Sequence, residues 1–243
     1  MKKTETTRRQ PRTGSIWLQG GARRAQAVRR VCEALERAYG RPRHGNVSNA
    51  LDELIYIILS NRTSIEVARR TLRQLKRVFP AWEGVLANSS RRLQKVLGPA
   101  GLSVIKSRQI RAILMRVRRD FGVCDLRALK EWPEAHAEAY LVGLPGVSTK
   151  VARCVMMYAL GAAVLPVDAH VHRIAGRLGW IKRKRADQSH EELDALVPPE
   201  RRHLFHVACI SHGRAICRSQ RPACDKCCLK RYCAYYRTLD YPI

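Results

Sequence analysis

Residues 140–160 read YLVGLPGVSTKVARCVMMYAL. The stretch predicts one helix ending near Gly143, a tight Leu144-Pro145-Gly146-Val147 turn, and a second helix opening at Ser148. Gly146 allows the turn a backbone conformation that a Cβ would block. The turn leaves backbone N–H groups at a helix N-terminus, a ready site for phosphate. This is the helix–hairpin–helix layout, which grips a nucleic-acid backbone without reading its sequence. The bland alternative is a plain αα-corner.

Lys150 falls in the first turn of the second helix. The positive end of the macrodipole disfavours a protonated amine there, and desolvation by a bound polyanion adds to that effect. A neutral amine is a nucleophile. An ordinary phosphate-contacting lysine explains the position equally well until Asp168 is considered. Asp168 stands in Pro166-Val167-Asp168-Ala169-His170-Val171-His172-Arg173, ahead of a helix carrying Val171, Ile174, Leu178 and Trp180. As an N-cap it accepts backbone N–H bonds and stays ionised. A fixed carboxylate facing a sugar C1′ also stabilises an oxocarbenium-like centre.

Near the C-terminus, Cys217, Cys224, Cys227 and Cys233 follow the order C-x6-C-x2-C-x5-C. The irregular spacing suits a [4Fe–4S] cluster, whose four irons each need a thiolate. Structural zinc usually takes two C-x2-C pairs, and only Cys224 and Cys227 form one. Cys228 is a rival ligand, and the spacing favours Cys227. Cys32, Cys124, Cys154 and Cys209 lie in or beside apolar runs and read as small buried hydrophobes.

The chain has 243 residues, enough for one large or two small domains, and is 46% hydrophobic. Its 46 Lys and Arg against 20 Asp and Glu give a formal charge of +26. Such an excess points to a polyanionic partner, although a ribosomal protein or a binder of anionic membranes would carry the same charge. Nine cysteines with no signal-peptide pattern at Met1-Lys2-Lys3 imply a reducing compartment rather than a disulfide scaffold. The longest apolar stretch, Cys154 to Val167, is interrupted by Gly161 and Pro166 and is too short to span a bilayer. The expectation is a soluble protein of the cytoplasm or nucleoid.

Residues 1–20 read as a flexible basic arm with a weak electrostatic role. From Ala22 the pattern is helical: Val28, Val31, Cys32, Leu35 and Tyr39 share a face before Gly40. Leu51 to Ser60 predicts a helix buried on most sides. Thr63-Ser64-Ile65-Glu66 reads as a capping box with Thr63 as the cap. Ser89 or Ser90 caps the next helix, and Ile110 to Phe121 marks another. Further helices are expected at 134–143, 148–160, 169–178, 188–196 and 200–211. No period-2 strand is found, so the fold is all-α. His170 and His172, at i and i+2, diverge on a helix and read as structural rather than as a metal pair. Lys182-Arg183-Lys184-Arg185 reads as a solvated basic loop, with a phosphate contact or an import signal as alternatives.

Across about residues 25–235 the chain resembles the endonuclease III family of helix–hairpin–helix DNA glycosylases. The likeness is carried by Leu144-Pro145-Gly146-Val147-x-x-Lys150, Val167-Asp168-x-His170-x-x-Arg173, His212-Gly213-Arg214 and the four-cysteine run. It implies two helical lobes: a six-helix barrel with the hairpin, over 46–162, and an Fe–S cluster lobe made of 21–45 and 163–243. It implies duplex DNA carrying damaged bases or abasic sites as the partner, bound between the lobes by a monomer with no membrane contact. Lys150 and Asp168 become the catalytic pair of a glycosylase with AP lyase activity on damaged, oxidised pyrimidines. The four cysteines become the cluster ligands, and Arg62, Leu102, Leu144, Gly146, Ser148, His170, Arg218 and Arg221 become DNA contacts. In adenine-removing relatives the lysine position is not a lysine, which favours the bifunctional branch. One departure stands out: Arg62 occupies a place where the family commonly has the Gln that fills the gap left by a flipped base. Leu102 matches a second wedge residue, or packs in the core at a helix start. A mismatch or uracil glycosylase and a catalytically weak Fe–S DNA-binding protein are the alternative functions.

Overall fold

The computed structural model describes residues 21–41, 46–182 and 185–239. The basic arm at 1–20, Arg183 and Lys184 lie outside the described residues. Within these limits the fold is all-helical and no strand forms. The chain divides into two compact units, one from the described residues between Arg43 and Pro166, the other from those before Pro42 and from Val167 on.

The middle unit is organised around α2 (Ala50–Ser60). Leu51, Leu54, Ile55, Ile58 and Leu59 recur at three- and four-residue steps and are at most 4% exposed. Around it lie α3 (Ile65–Val78), α4 (Glu83–Ala87), α5 (Ser90–Leu97), α6 (Ser103–Phe121), α7 (Glu134–Val142) and α8 (Thr149–Val155). Helix α2 packs directly on α3, α6 and α8. The last helix widens into a π-turn, Met156–Leu160, stopped by Gly161 in the left-handed conformation. Asn49 caps α2 by accepting the amides of Leu51 and Asp52 at 3.1 and 3.0 Å.

The helix caps correct one expectation. Ser64, not Thr63, is the N-cap of α3, its hydroxyl accepting the Val67 amide at 3.3 Å. The Thr63 hydroxyl instead donates to Ala100 O at 2.5 Å and accepts from Lys106 Nζ at 3.1 Å. A buried ammonium and a carbonyl hold that hydroxyl more strongly than a helix end would. Ser89 caps α5.

The other unit contains α1 (Gly21–Tyr39), α9 (Ala169–Leu178), α10 (His190–Leu196) and α11 (Pro199–Ala215). Helix α11 packs against α1 and α9. Phe205 to Ile210 are all buried, His206 among them, so the middle of α11 is enclosed around its circumference like other central helices. Helix α1 presents Val28, Val31, Cys32 and Leu35, each fully buried, as a single stripe. All four isolated cysteines are buried.

One buried polar group escaped the sequence reading. Glu53, fully buried on α2, accepts bonds from the Asn46 side chain and from the Val47 amide, the latter at 3.0 Å. Burial pushes its carboxyl up to about 7, opposed by those two hydrogen bonds and by the charges of Lys150 and Arg69. A carboxyl whose folded value lies above its unfolded one binds more protons in the native state, so stability falls as pH rises between the two values. Wild-type protein should therefore lose up to about 3 kcal/mol between pH 4.5 and 7.5 through this group. Urea unfolding of Glu53→Gln across that range should show a correspondingly flatter pH dependence.

Candidate functional site

The hairpin is built in the middle unit. Helix α7 ends at Gly143, and the Val147 amide closes the turn on Leu144 O at 3.1 Å. Gly146 has φ 69°, and a Cβ there would meet Gln109 Nε2 at 2.7 Å. Gln109, on α6, donates to Pro145 O and Gly146 O at 3.2 and 3.1 Å and so anchors the turn from below. Ser148 caps α8 through the Val151 amide at 3.4 Å. Lys150 is the second residue of that helix and is half-buried. Gly146 and Ser148 are exposed. The Leu144 side chain, by contrast, is 2% exposed and belongs to the core. Any contact Leu144 makes outside the protein therefore runs through its backbone.

In the other unit Asp168 is the N-cap of α9, one carboxylate oxygen accepting the amides of His170 and Val171 at 2.9 and 2.8 Å. The preceding residue is held too: the Val167 amide donates to His190 Nε2 at 3.2 Å. His190 Nδ1 lies 3.3 Å from Asp187 O, so one neutral tautomer satisfies both sides of the ring. His170 Nδ1 accepts from Arg173 Nη2 at 3.0 Å, because a guanidinium can only donate. Burial holds His170 below the usual imidazole range.

The four cysteines of the C-terminal run line one hollow, together with Arg177, Ile216, Pro222, Lys230, Tyr235 and Tyr236. Cys228 is not in that lining. Four thiols lining one hollow fit a cluster, where each binds a different iron. Burial pushes the Cys227 thiol up to about 12 and those of Cys224 and Cys233 upward, a cost that metal-bound thiolates would escape.

Donors already surround these sulfurs. Arg177 Nη1 lies 3.2 Å from Cys217 Sγ, and the Leu229 amide lies 3.4 Å from Cys227 Sγ. His212 Nε2 lies 3.4 Å from Cys227 Sγ, while its Nδ1 meets the Tyr39 hydroxyl at 2.8 Å. Burial takes His212 down to about 4, so the ring is neutral. Arg177 also donates to Arg218 O and Ser219 O at 2.7 and 3.0 Å and stacks on Tyr235. Arg218 and Arg221 project from this loop and are exposed.

Arg62 and Leu102 lie on two loops of the middle unit, between α2 and α3 and just before α6. Both have left-handed backbones, φ 55° and 51°, and both are exposed. Leu102 is 48% exposed, which excludes its reading as a core residue.

The HhH-GPD superfamily of base excision DNA repair proteins matches residues 55–199. The chain belongs to that superfamily. Within it, this HhH-GPD protein is an endonuclease III-like DNA glycosylase. It is 29% identical over 196 residues to an endonuclease III of Thermotoga maritima, spanning 81% of this chain and 88% of the relative. A putative DNA glycosylase of Arabidopsis thaliana is 31% identical over 168 residues, 68% of this chain and 57% of that protein. In fold it is similar to an endonuclease III solved in a non-covalent complex with DNA, with a TM-score of 0.75 at 23% identity, covering 88% of this chain and 96% of that one. A thermostable thymine-DNA glycosylase superposes with a TM-score of 0.74 at 20% identity, covering 88% and 98%.

Arg177, Gln109 and Lys106 were not singled out in the sequence, because a surface-type residue that turns inward leaves no periodic signal. Gly213 was quoted only as part of a motif. A Cβ there would lie 2.3 Å from His170 Nδ1 and 2.9 Å from Arg173 Nη2. Ala gains about 1 kcal/mol in helix propensity, but overpacking costs about 1–3 kcal/mol, and a ring atom at that distance cannot yield cheaply. Gly213→Ala in the HhH-GPD protein should be destabilised by up to about 2 kcal/mol in urea unfolding.

Proposed function

We propose that this HhH-GPD protein is a bifunctional glycosylase and AP lyase that removes damaged, oxidised pyrimidines from duplex DNA. The observation that carries the reading is Lys150, half-buried in the first turn of the helix that follows the Gly146 hairpin. The target nucleotide leaves the stack, at least cost where its pair is already weakened. The Lys150 Nζ lone pair forms a bond to C1′ as the glycosidic bond breaks, and the base departs with a proton. Ring opening leaves a Schiff base. Loss of the C2′ proton then expels the 3′ phosphate by β-elimination. Asp168, locked as an N-cap, offers its carboxylate to the positive charge that builds at the sugar. The exposed hairpin residues Gly146 and Ser148, with Arg218 and Arg221, lie on phosphates, in keeping with a charge of +26. Arg62 and Leu102 fill the space vacated by the base.

A [4Fe–4S] cluster held by Cys217, Cys224, Cys227 and Cys233 fits the shared hollow and its N–H donors. When bound it ties the loop bearing Arg218 and Arg221 into one shape and takes no part in base removal. The protein works in the compartment that holds the DNA, as a monomer, with the middle unit acting as the six-helix barrel and the other as the cluster lobe. Among the described residues no helix is long and apolar enough to cross a membrane.

A mismatch or uracil glycosylase is the second reading, and it rests on Arg62, whose charged side chain stands where a Gln is usual. A lesion panel scored separately for base release and for nicking distinguishes the two.

Lys150→Ala should abolish borohydride trapping on an abasic duplex while leaving DNA affinity within about threefold of wild type. Equal trapping by that variant would discard Lys150 as nucleophile. Failure of wild type to trap would leave a glycosylase without lyase activity or the weak Fe–S DNA-binding protein, which base release distinguishes. Anaerobically purified protein should be brown, with about four irons per chain. Colourless protein carrying zinc would remove the cluster.

A further inference from the structure

Lys106 sits in the first turn of α6 and is 3% exposed. A lysine that deep is rare unless its charge is met. Its Nζ donates to Leu59 O at 2.8 Å, Ala100 O at 2.8 Å and Thr63 Oγ1 at 3.1 Å. An ammonium has three protons, so these acceptors saturate it, and none is a carboxylate. Leu59 O belongs to the last turn of α2, and Ala100 O closes the 3-10 turn Gly98–Ala100. Thr63 bridges the two, donating to Ala100 O. The ammonium therefore ties one loop to another across a sequence separation of about forty residues.

Each tied loop carries one strained residue. Arg62 lies between Leu59 and Thr63, and Leu102 lies two residues beyond Ala100. Both are non-glycine residues in the left-handed region, and both side chains are exposed. Such backbones persist only where their surroundings over-determine them. The Lys106 network holds the chain at Leu59 and Thr63, on either side of Arg62, and at Ala100, two residues before Leu102, alongside the local turn bonds of Asn61 and Thr63 to Ile58 O and Ser60 O.

We propose that Lys106 is a positioning residue for strand opening: its buried ammonium presets Arg62 and Leu102 as a rigid pair, so that the gap is filled without ordering two loops at the moment the nucleotide leaves the stack. Neither side chain alone achieves this, because each loop by itself would relax to an ordinary backbone. This rests on Arg62 and Leu102 being the residues that enter the duplex, and it extends that reading to the group that holds them. Lys106 itself touches no DNA.

The test compares duplex with single-stranded abasic DNA, because a single strand offers the sugar to Lys150 with no stack to open. Lys106→Met keeps length and apolar bulk and removes the charge. Thr63→Val removes the bridging hydroxyl at nearly constant shape and serves if the methionine variant does not fold. Single-turnover borohydride trapping should fall about tenfold or more on duplex and stay within about twofold on the single strand. Lys106→Arg, which restores a cation, should recover part of the duplex rate. A 2-aminopurine placed opposite an abasic analogue should brighten with wild type and stay quenched with the folded variants. Parallel loss on both substrates, or an unchanged duplex rate, would overturn the inference. If wild type traps neither substrate, the lysine chemistry fails, whereas the aminopurine signal still decides the role of Lys106.

Discussion

A fold built from helices has many helix ends, and each end leaves backbone groups without intrahelical partners. How those orphans are satisfied organises this structure. Asn49, Ser64, Ser89, Ser148 and Asp168 each turn a side-chain oxygen onto the first amides of a helix. At the C-terminal end of α2 the Lys106 ammonium takes the Leu59 carbonyl, and Gln109 takes the carbonyls of the hairpin turn. Candidate functional groups sit at these same termini. Lys150 follows the Ser148 cap, Asp168 is itself a cap, and Arg62 and Leu102 flank the Lys106 network. Satisfying a helix end fixes a side chain within a fraction of an ångström, and that rigidity is what pre-organised chemistry requires.

Helix α6 links two of these features inside one unit. Lys106 and Gln109 are three residues apart and therefore share a face. One reaches the loops of Arg62 and Leu102, and the other reaches the turn before Lys150. A single helix thus supports both the strained pair and the hairpin. In the other unit, α9 plays the matching part. Its N-terminus holds Asp168, Arg173 donates to Cys217 O at 2.9 Å, and Arg177 clamps the carbonyls of 218 and 219. The cysteine loop is therefore bound to the helix that carries the carboxylate, so the loop's order and the position of Asp168 are mechanically connected.

Much of this was legible beforehand. Apolar residues at helical spacing located α2, α9 and α11 because burial of one stripe, or of a whole circumference, repeats every three or four positions. Asp168 was readable as a cap since a carboxylate just before an apolar-periodic run has few other local partners. The Thr63 cap was misread for the same reason that made it attractive: a hydroxyl next to a helix start has local options, and a distant ammonium took it.

By itself the sequence determined the helical class, the Asp168 cap, the hairpin with Lys150 and the cysteine order, all of which depend on residues near one another along the chain. The tertiary structure alone decided that Glu53 and Lys106 are buried, that four thiols share a hollow, and that two separate loops are fastened by one ammonium. These are long-range facts: polar groups enter a core only when partners from remote segments satisfy them, and no local pattern records where those partners come from.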